Sequence, residues 1–577
     1  MYGRDCESVS FGGELRGIGE GYWAFSFFMD RTSGQSGGDA SSCSAEVVSG
    51  VRGARLKVGL EVHVELSTRS KMFTRAPNVA HRDYRGAAAN TLVDPLVAGL
   101  PGTLPVMNRR AVEMAVKVGL ALNCEIARVS LWDRKSYFYP DLPKGYQISQ
   151  YDLPLCGAGV VEIEKSDASD GRDARNAEMK SIRIRRAHLE EDAGKLGHEL
   201  PGGGRFAGTL VDLNRAGTPL LEIVTEPDFE AAEEVVAFCR LLRETCRFLE
   251  VSECDLQEGH MRFEPNINLL IETGAGGDFV ATPIVEIKNL NSFRSLREAI
   301  EYERKRQLEE WVRTGQAGGP GEKTTRGWDA ACGVTFLQRG KEEAEDYRYF
   351  PDPDLIAVEV DETWEAAIRS EIPELPGARR ARYVGALGLT AAQAQQLIDE
   401  PARAFFFDAC YEAIRCVVGK GGSGGGLAAG GGRLTEKEAA KYAVNFVLQY
   451  GGRFAREREC LVSELGITPK QVGQIVVLRE EGRISAGSAE KLFELLLDTE
   501  EGAAEVAERR GLFMTVDDDA LSAWVDEAIA SNPKAVTAIC NGKKNAIGAL
   551  VGSVMNLSKG KADARVASAM IRERLGG

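Results

Sequence analysis

The sequence predicts an α+β protein, with a largely antiparallel sheet domain first and helices after it. Three observations carry this. Residues 56–66 alternate strictly between apolar and other side chains, which is the period of a strand with one buried face. Residues 55–356 mix further short alternating runs with Gly/Pro turns, as in Leu100–Pro105, Ser181–Ile184 and Val211–Asn214. Beyond Asp354, helix starts accumulate. Thr390, Thr435 and Thr468 each stand three residues before a Gln or Glu (Gln393, Glu438, Gln471), the spacing of a capping box.

Taken in order, residues 1–54 carry Gly/Ser clusters and no clear period, so they read as a targeting extension or a disordered tail. Asp5, Glu7, Glu14, Glu20, Asp30 and Asp39 suit an acid-poor transit peptide badly. The strand 56–66 comes next. Leu56, Val58, Leu60, Val62, Val64 and Leu66 form its apolar face, and Glu61, His63 and Glu65 share the other face, roughly 7 Å apart. Asn108 is placed to cap a helix over 109–122, with Val112, Ala115, Val116, Gly119 and Leu120 at helical spacing. Residues 132–150 form an aromatic, Pro-punctuated loop, and 166–180 an inserted polar one. Residues 212–227 read as a hairpin. A helix begins near Asn291 or Ser292, with an inner stripe of Phe293, Leu296, Ile300, Gln307, Leu308 and Trp311. Nine of the fourteen residues 419–432 are Gly, which makes a flexible insertion. The domains expected are thus an extension (1–54), a sheet-built cradle (55–356), a helical domain (357–512) and a small helical tail (513–577).

Composition narrows the function classes. The chain has 577 residues, 44% hydrophobic and 27% charged, as globular proteins do. No apolar run approaches the roughly 20 residues of a membrane helix. The net charge of −15 argues against a surface that is everywhere a nucleic-acid footprint. From Ser531 to Gly577, however, eight bases face two acids, a local net of +6. The 12 Cys form no C-x-x-C pair, which excludes a zinc ribbon or thioredoxin-type motif and suits reduced thiols inside a cell.

The chemistry-bearing residues fall in separate stretches. Glu61, His63 and Glu65 can hold a hard cation or orient a phosphate. In the loop Trp132–Gln150, Lys135 and Lys144 can contact phosphate, and Tyr137 can stack or hydrogen-bond. The run His188-Leu189-Glu190-Glu191-Asp192 sets acids side by side, which self-repel unless a cation relieves them, and Mg²⁺ accepts one or two carboxylates plus substrate phosphates. Arg215 can bind an anion bidentately. The stretch Gly318–Thr324 imitates a P-loop but places Glu322 before the Lys and lacks the strand–helix frame. There is no Gly-x-Ser-x-Gly elbow and no amidase-like Ser-Ser-Lys arrangement.

Together the segments Glu61–Leu66, Ser70–Phe73, Leu100–Pro105, Asp133–Asp152, His188–Lys195, Asn214–Asp228, Gln257–Gly259, Glu286–Phe293, Asp346–Leu355, Gly542–Lys544 and Leu550–Lys561 resemble, in order, the B subunit of the aspartyl/glutamyl-tRNA amidotransferases. The resemblance spans about 56–577. The chain departs from that pattern after Gln257-Glu258-Gly259. There the family carries a small residue and Met-Arg-Cys-Asp-Ala-Asn-Val-Ser, and this chain has His260-Met261-Arg262-Phe263-Glu264-Pro265-Asn266-Ile267-Asn268. The resemblance implies ATP-dependent conversion of Glu-tRNA(Gln), and in some organisms Asp-tRNA(Asn), to the amide through an acyl phosphate attacked by ammonia. It implies ATP and Mg²⁺ as cofactors, a glutaminase subunit and a small third subunit of the amidotransferase as partners, and misacylated tRNA as substrate. On this reading Glu61, His63, Glu190 and Glu191 hold the metal, Arg215 and Lys135 clamp anions, and Tyr137 and Lys144 help bind the nucleotide. Lys543, Lys544, Lys559, Lys561 and Arg565 would contact tRNA. A tRNA-binding scaffold without chemistry is the alternative. The extension and the Gly-rich insertion point to a mitochondrial or plastid protein, with the cytoplasm as the other location.

Overall fold

The computed structural model describes residues 23–25, 53–165, 178–200, 203–273, 278–319, 323–339, 347–419, 434–514, 518–540, 544–558, 562 and 564–575. The chain divides into two compact units, Met1–Leu375 and Pro376–Gly577. The first unit is the sheet-built one. Its strands are β1 (Trp23–Phe25), β2 (Gly53–Glu65), β3 (Val129–Ser130), β4 (Asp133–Ser136), β5 (Tyr146–Ser149), β6 (Gly159–Glu164), β7 (Met179–Glu191), β8 (Lys195–Glu199), β9 (Arg205–Asp212), β10 (Pro219–Thr225), β11 (Met261–Glu272), β12 (Phe279–Ala281), β13 (Ile284–Lys288), β14 (Lys323–Asp329), β15 (Val334–Arg339), β16 (Phe350–Pro351) and β17 (Val358–Glu359). Its helices are α1 (Arg109–Ala121), α2 (Ala232–Phe248), α3 (Phe293–Thr314) and α4 (Glu362–Ser370).

Nine strands form one sheet in the order β15-β14-β13-β11-β2-β10-β7-β6, with β12 beside β11. Every pairing in it is antiparallel except β13 with β14. Strand β2, which the alternation predicts, lies near the middle. Its Leu56, Val58, Leu60, Val62 and Val64 are buried in a core shared with Val112 and Val116 of α1, Val235, Phe238 and Leu242 of α2, and Leu296 and Ile300 of α3. Because the period is 2, burying that set leaves Glu61, His63 and Glu65 on the face without helices. Asn108 caps α1, its side chain accepting from the N–H groups of Arg110 and Ala111. Ser292 caps α3, and Gly315 ends it in the left-handed region at φ 62°. Leu296, Ile300, Gln307 and Trp311 of the expected stripe are buried. So is Glu303, which accepts from Arg306 Nε at 2.9 Å and from the Thr335 hydroxyl at 3.0 Å.

Two expectations change. Residues 212–227 are not a hairpin: β9 joins β8 and β1 in a separate three-stranded sheet, while β10 enters the large sheet between β2 and β7. The turn between them, with Gly217 at φ 83°, hands the chain from one sheet to the other. The stretch 132–150 is not wholly a loop either, since β4 and β5 pair within it, Asp133 opposite Ser149 and Ser136 opposite Tyr146. Most of the altered stretch His260–Asn268 forms β11. Pro265 sits inside β11, and its pairing with β13 covers only Asn266 and Ile267, so the missing N–H falls where that ladder stops.

The second unit is helical from Pro376–Ala381 to Ala564–Arg574, and the capping boxes at Thr390, Thr435 and Thr468 all form. Its last segment has a core of its own, built from Leu521, Val525, Ala528, Leu550, Val554, Ala562, Ala567 and Ile571. No helix among the described residues is long and apolar enough to cross a membrane. The expected extension apart from 23–25 and 53–54, most of the 166–180 insertion and the Gly-rich stretch beyond Gly419 lie outside the described residues.

Candidate metal and phosphate site

The polar face of the large sheet is read across strands. Antiparallel register sets His63 opposite Glu222 of β10 and Arg262 of β11, and Glu222 opposite His188 of β7. His188, Glu222, His63 and Arg262 therefore form one row over four neighbouring strands. Glu190 stands two residues from His188 on the same face. His63 Nε2 lies 3.4 Å from a Glu222 oxygen and 3.9 Å from a Glu190 oxygen, and His188 Nε2 lies 3.5 Å from Glu222. One ligand atom each from His63, Glu190 and Glu222 falls within 4.8 Å of the others.

These groups are nearly out of water, with side-chain exposures of 14% for His63, 13% for Glu222 and 4% for Glu190. Burial alone disfavours charge, so the pairings decide the protonation. Burial pushes His63 down, yet the hydrogen bond and charge of Glu222 lift it to about 9. Burial takes His188 down to about 4. Burial and the Glu222 charge raise Glu190 to about 7. Against its own burial, Glu222 is held well below the carboxylate range by His188, His63 and Lys135. The site thus holds one firmly ionised carboxylate, one that keeps a proton near neutrality, and two unlike imidazoles. His63 Nδ1 and His188 Nδ1 are buried with no hydrogen-bond partner among the described residues.

The remaining expected residues divide. Lys135 of β4 faces the cluster: although burial opposes its charge, Glu190, Tyr349 and Glu222 hold its ammonium above the usual range. Its Nζ is 4.8 Å from the Tyr347 ring centre. Glu61 shares the face but not the ligand set. It accepts from Asn266 Nδ2 at 2.9 Å, lies 3.8 Å from Lys323, and is raised by burial. Glu191 is turned away, because neighbours on a strand point to opposite sides. Its carboxylate pairs with Lys144 and accepts from the Ile148 N–H at 2.9 Å. Lys144 is therefore bound to Glu191 rather than open to a phosphate. Arg215 donates to the carbonyls of Ala193 at 2.9 Å and Gly194 at 2.7 Å, so it fastens the turn after β7. The Tyr137 hydroxyl lies 3.5 Å from Asp141. Lys543, Lys559 and Lys561 lie outside the described residues; Lys544 opens a short 3₁₀ turn, Lys544–Ala546, and Arg565 lies in the helix Ala564–Arg574.

Sequence reasoning missed Glu222 and Arg262. Glu222 is the one acid in Pro-Leu-Leu-Glu-Ile-Val-Thr, and a carboxylate inside an apolar strand needs a partner across the sheet, which is the signal that could have found it. Arg262 spans Glu65 at 3.3 Å and Asp192 at 2.7 Å, tying the ends of β2 and β7 together. Under burial and the Asp192 charge, Glu65 rises to about 8.

Comparison with known proteins agrees with the resemblance carried by the motifs. Residues 56–366 match the GatB/GatE catalytic domain and residues 433–575 the GatB domain. The chain is similar to the B subunit of the aspartyl/glutamyl-tRNA(Asn/Gln) amidotransferase of Thermoanaerobacter pseudethanolicus, at 40% identity over 518 residues, 90% of this chain and 98% of the relative. The protein of that name from Thermomicrobium roseum is 43% identical over 520 residues, 90% of this chain and 98% of the relative. That from Rhodopirellula baltica is 41% identical over 496 residues, 86% and 92% respectively.

Proposed function

The chain belongs to the GatB/GatE family, as the B subunit of a tRNA-dependent amidotransferase, and from that premise we propose that it activates and amidates the side-chain carboxylate of Glu-tRNA(Gln), and of Asp-tRNA(Asn) where that substrate is present. The observation that carries the chemistry is the convergence of His63, Glu190 and Glu222 on one polar sheet face. A free carboxylate repels nucleophiles and has no good leaving group. Phosphorylation by ATP makes an acyl phosphate, ammonia adds to its carbonyl carbon, and phosphate leaves with the bonding pair. The donor set, two carboxylates and an imidazole nitrogen, would fit a divalent cation that also binds phosphate oxygens, with Mg²⁺ favoured by the carboxylates and the protons of His63 and Glu190 displaced as it binds. Such a cation offsets charge on a transferring phosphoryl group.

The chain's own groups supply the rest. Lys135, held charged beside Glu190 and Glu222, is placed to bind an anionic oxygen at the cluster's edge. Arg262 and Arg215 keep the Glu190–Gly194 turn in place. The core beneath the sheet keeps the row rigid, as a preorganised site requires. Ammonia is proposed to come from a glutaminase partner, with a small third subunit completing the assembly, and the basic tail to hold tRNA. Residues 1–54 are proposed to direct the chain to a mitochondrion or plastid, which imaging of a fluorescent fusion tests.

Reconstitution with the partner subunits tests the central reading. The complex should convert Glu-tRNA(Gln) to Gln-tRNA(Gln) only with ATP and Mg²⁺, and His63→Ala should lower that rate at least a hundredfold while still binding tRNA. Equal turnover by His63→Ala would leave a tRNA-binding scaffold as the better account.

A further inference from the structure

Two thiols that the chemistry above does not use meet in the core beneath the large sheet. Cys246 lies in the last turn of α2, and Cys254 in the segment that leads from α2 to β11. Both are fully buried, and their side chains are in hydrogen-bond contact. The chain between them folds back, the Val251 N–H donating to the Cys246 carbonyl at 3.1 Å. Cys254 sits in the left-handed region at φ 51°, a backbone that such a side chain keeps only when its surroundings hold it there. Two bonds hold it. Its N–H donates to Ser252 Oγ at 3.2 Å, and its carbonyl accepts from Arg243 Nε at 3.1 Å.

The two thiols are not equivalent. Although burial opposes its ionisation, hydrogen bonds with Cys246 and Ser252 and the charges of Arg243 and Arg247 bring Cys254 below the ordinary thiol value. The shared hydrogen bond, with burial, pushes Cys246 well above it. Burial also raises Cys124, Cys156, Cys239 and Cys410. Cys254 is thus set apart as a nucleophile, and Cys246 as the thiol that can resolve its oxidised form. An open cleft of about 460 Å³, lined by Arg243, Arg247, Glu253 and Asp255 among others, borders the chain on both sides of Cys254 and gives a small oxidant a short way in. The same segment grips the frame of the site. The Ser67 N–H donates to the Val251 carbonyl, the His260 N–H to the Asp255 carbonyl and the Glu65 N–H to the His260 carbonyl, each at 2.9 Å. Joining two sulfurs draws them closer than hydrogen-bond contact, so Cys254 moves toward α2 and the turn behind it shifts as well.

We propose that Cys246 and Cys254 form a peroxide-sensitive switch, whose oxidation to a disulfide loosens the end of β2 beside the His63–Glu190–Glu222 cluster. The Cys254 thiolate attacks one peroxide oxygen, the O–O bond breaks, and the departing hydroxide takes up the proton that Cys254 had lost. Cys246 then attacks the sulfenic sulfur. The S–S bond forms, the S–O bond breaks, and hydroxide leaves with the Cys246 proton as a second water. The two sulfurs give up two electrons, which the peroxide takes, and a dithiol reductant reverses the change.

Hydrogen peroxide added to the folded, full-length chain tests this, with no partner subunit and no turnover. Peptide mass analysis after blocking the remaining thiols should find Cys246 joined to Cys254. Hydrogen exchange at the Glu65 amide should become at least tenfold faster and return to its starting rate with dithiothreitol. Cys246→Ala should stop the reaction at a Cys254 sulfenic acid, trapped by dimedone, and Cys254→Ala should leave the exchange insensitive to peroxide. A pair that joins only after unfolding in urea would overturn the proposal. So would a disulfide that forms in the folded chain and leaves exchange at Glu65 unaltered, since the contact is then core packing alone. Should either variant fail to fold, the wild-type chain with and without reductant decides the matter by itself.

Discussion

Glu222 shows how much one side chain can decide. It accepts from His63 and faces His188, and it lifts the first imidazole to a charged state while burial keeps the second neutral. Glu222→Gln should weaken Mg²⁺ or Mn²⁺ binding at least tenfold by calorimetric titration, and His63 should lose the partner that lifts it to about 9, visible as a lower imidazole titration by NMR. Unchanged metal affinity would remove Glu222 from the ligand set. Lys71 is a second case. It is fully buried, donates to the Leu213 carbonyl at 3.2 Å, and burial lowers its pKa to about 7 against the pull of Asp94, Asp212 and Glu191. The unfolded chain keeps that proton up to about 10.5, so the native state is at a disadvantage as pH falls below 10.5, fully so below about 7. Lys71→Met should therefore gain stability, on the order of a few kcal/mol, at acidic pH and nothing above about 10.5. Thermal melts at both ends of that window decide it. At this scale the structure brings His63, Glu190 and Lys135 of the expected residues together and sets Glu191 apart with Lys144. Two adjacent acids look equivalent in a string, but strand geometry sends only Glu190 to His63.

Elements with local signals were legible. The alternation of β2, the Asn108 and Ser292 caps and the three capping boxes depend on side chains within a few residues of one another. Thr468→Ala should cost about 1 kcal/mol in urea denaturation, the usual worth of such a cap. The buried Glu303 of α3 has a larger expected effect. Arg306→Met should destabilise the protein by about 3 kcal/mol, because it strands a carboxylate of zero exposure. A loss under about 1 kcal/mol would mean that Arg326 and Thr335 suffice to hold Glu303. Elements with non-local causes were misread. The segment 212–227 has the pattern of a hairpin, yet β9 and β10 pair with partners that the string does not place beside them. Likewise, Pro265 argues locally against a central strand, and only the short reach of β13 shows why it is tolerated.

At the scale of the molecule, the tail has its own apolar core around Val525, Val554 and Ile571. Ending the chain before Asp518 should therefore leave the melting of the remainder unchanged within a degree or two. The same truncation should weaken tRNA binding and flatten its salt dependence, since the +6 segment goes with it. Salt-independent affinity in the full-length chain would count against the tail as a tRNA contact. The α+β class, the helical second half and the family all follow from periodicity and from motifs in order, because these depend on neighbours along the chain. The site does not, since its members come from β2, β4, β7 and β10, and pairing register alone decides which carboxylates meet His63. The chain specifies which faces are polar; the packed sheet decides which of those polar groups lie within about 4 Å of one another, where charge and burial together make chemistry.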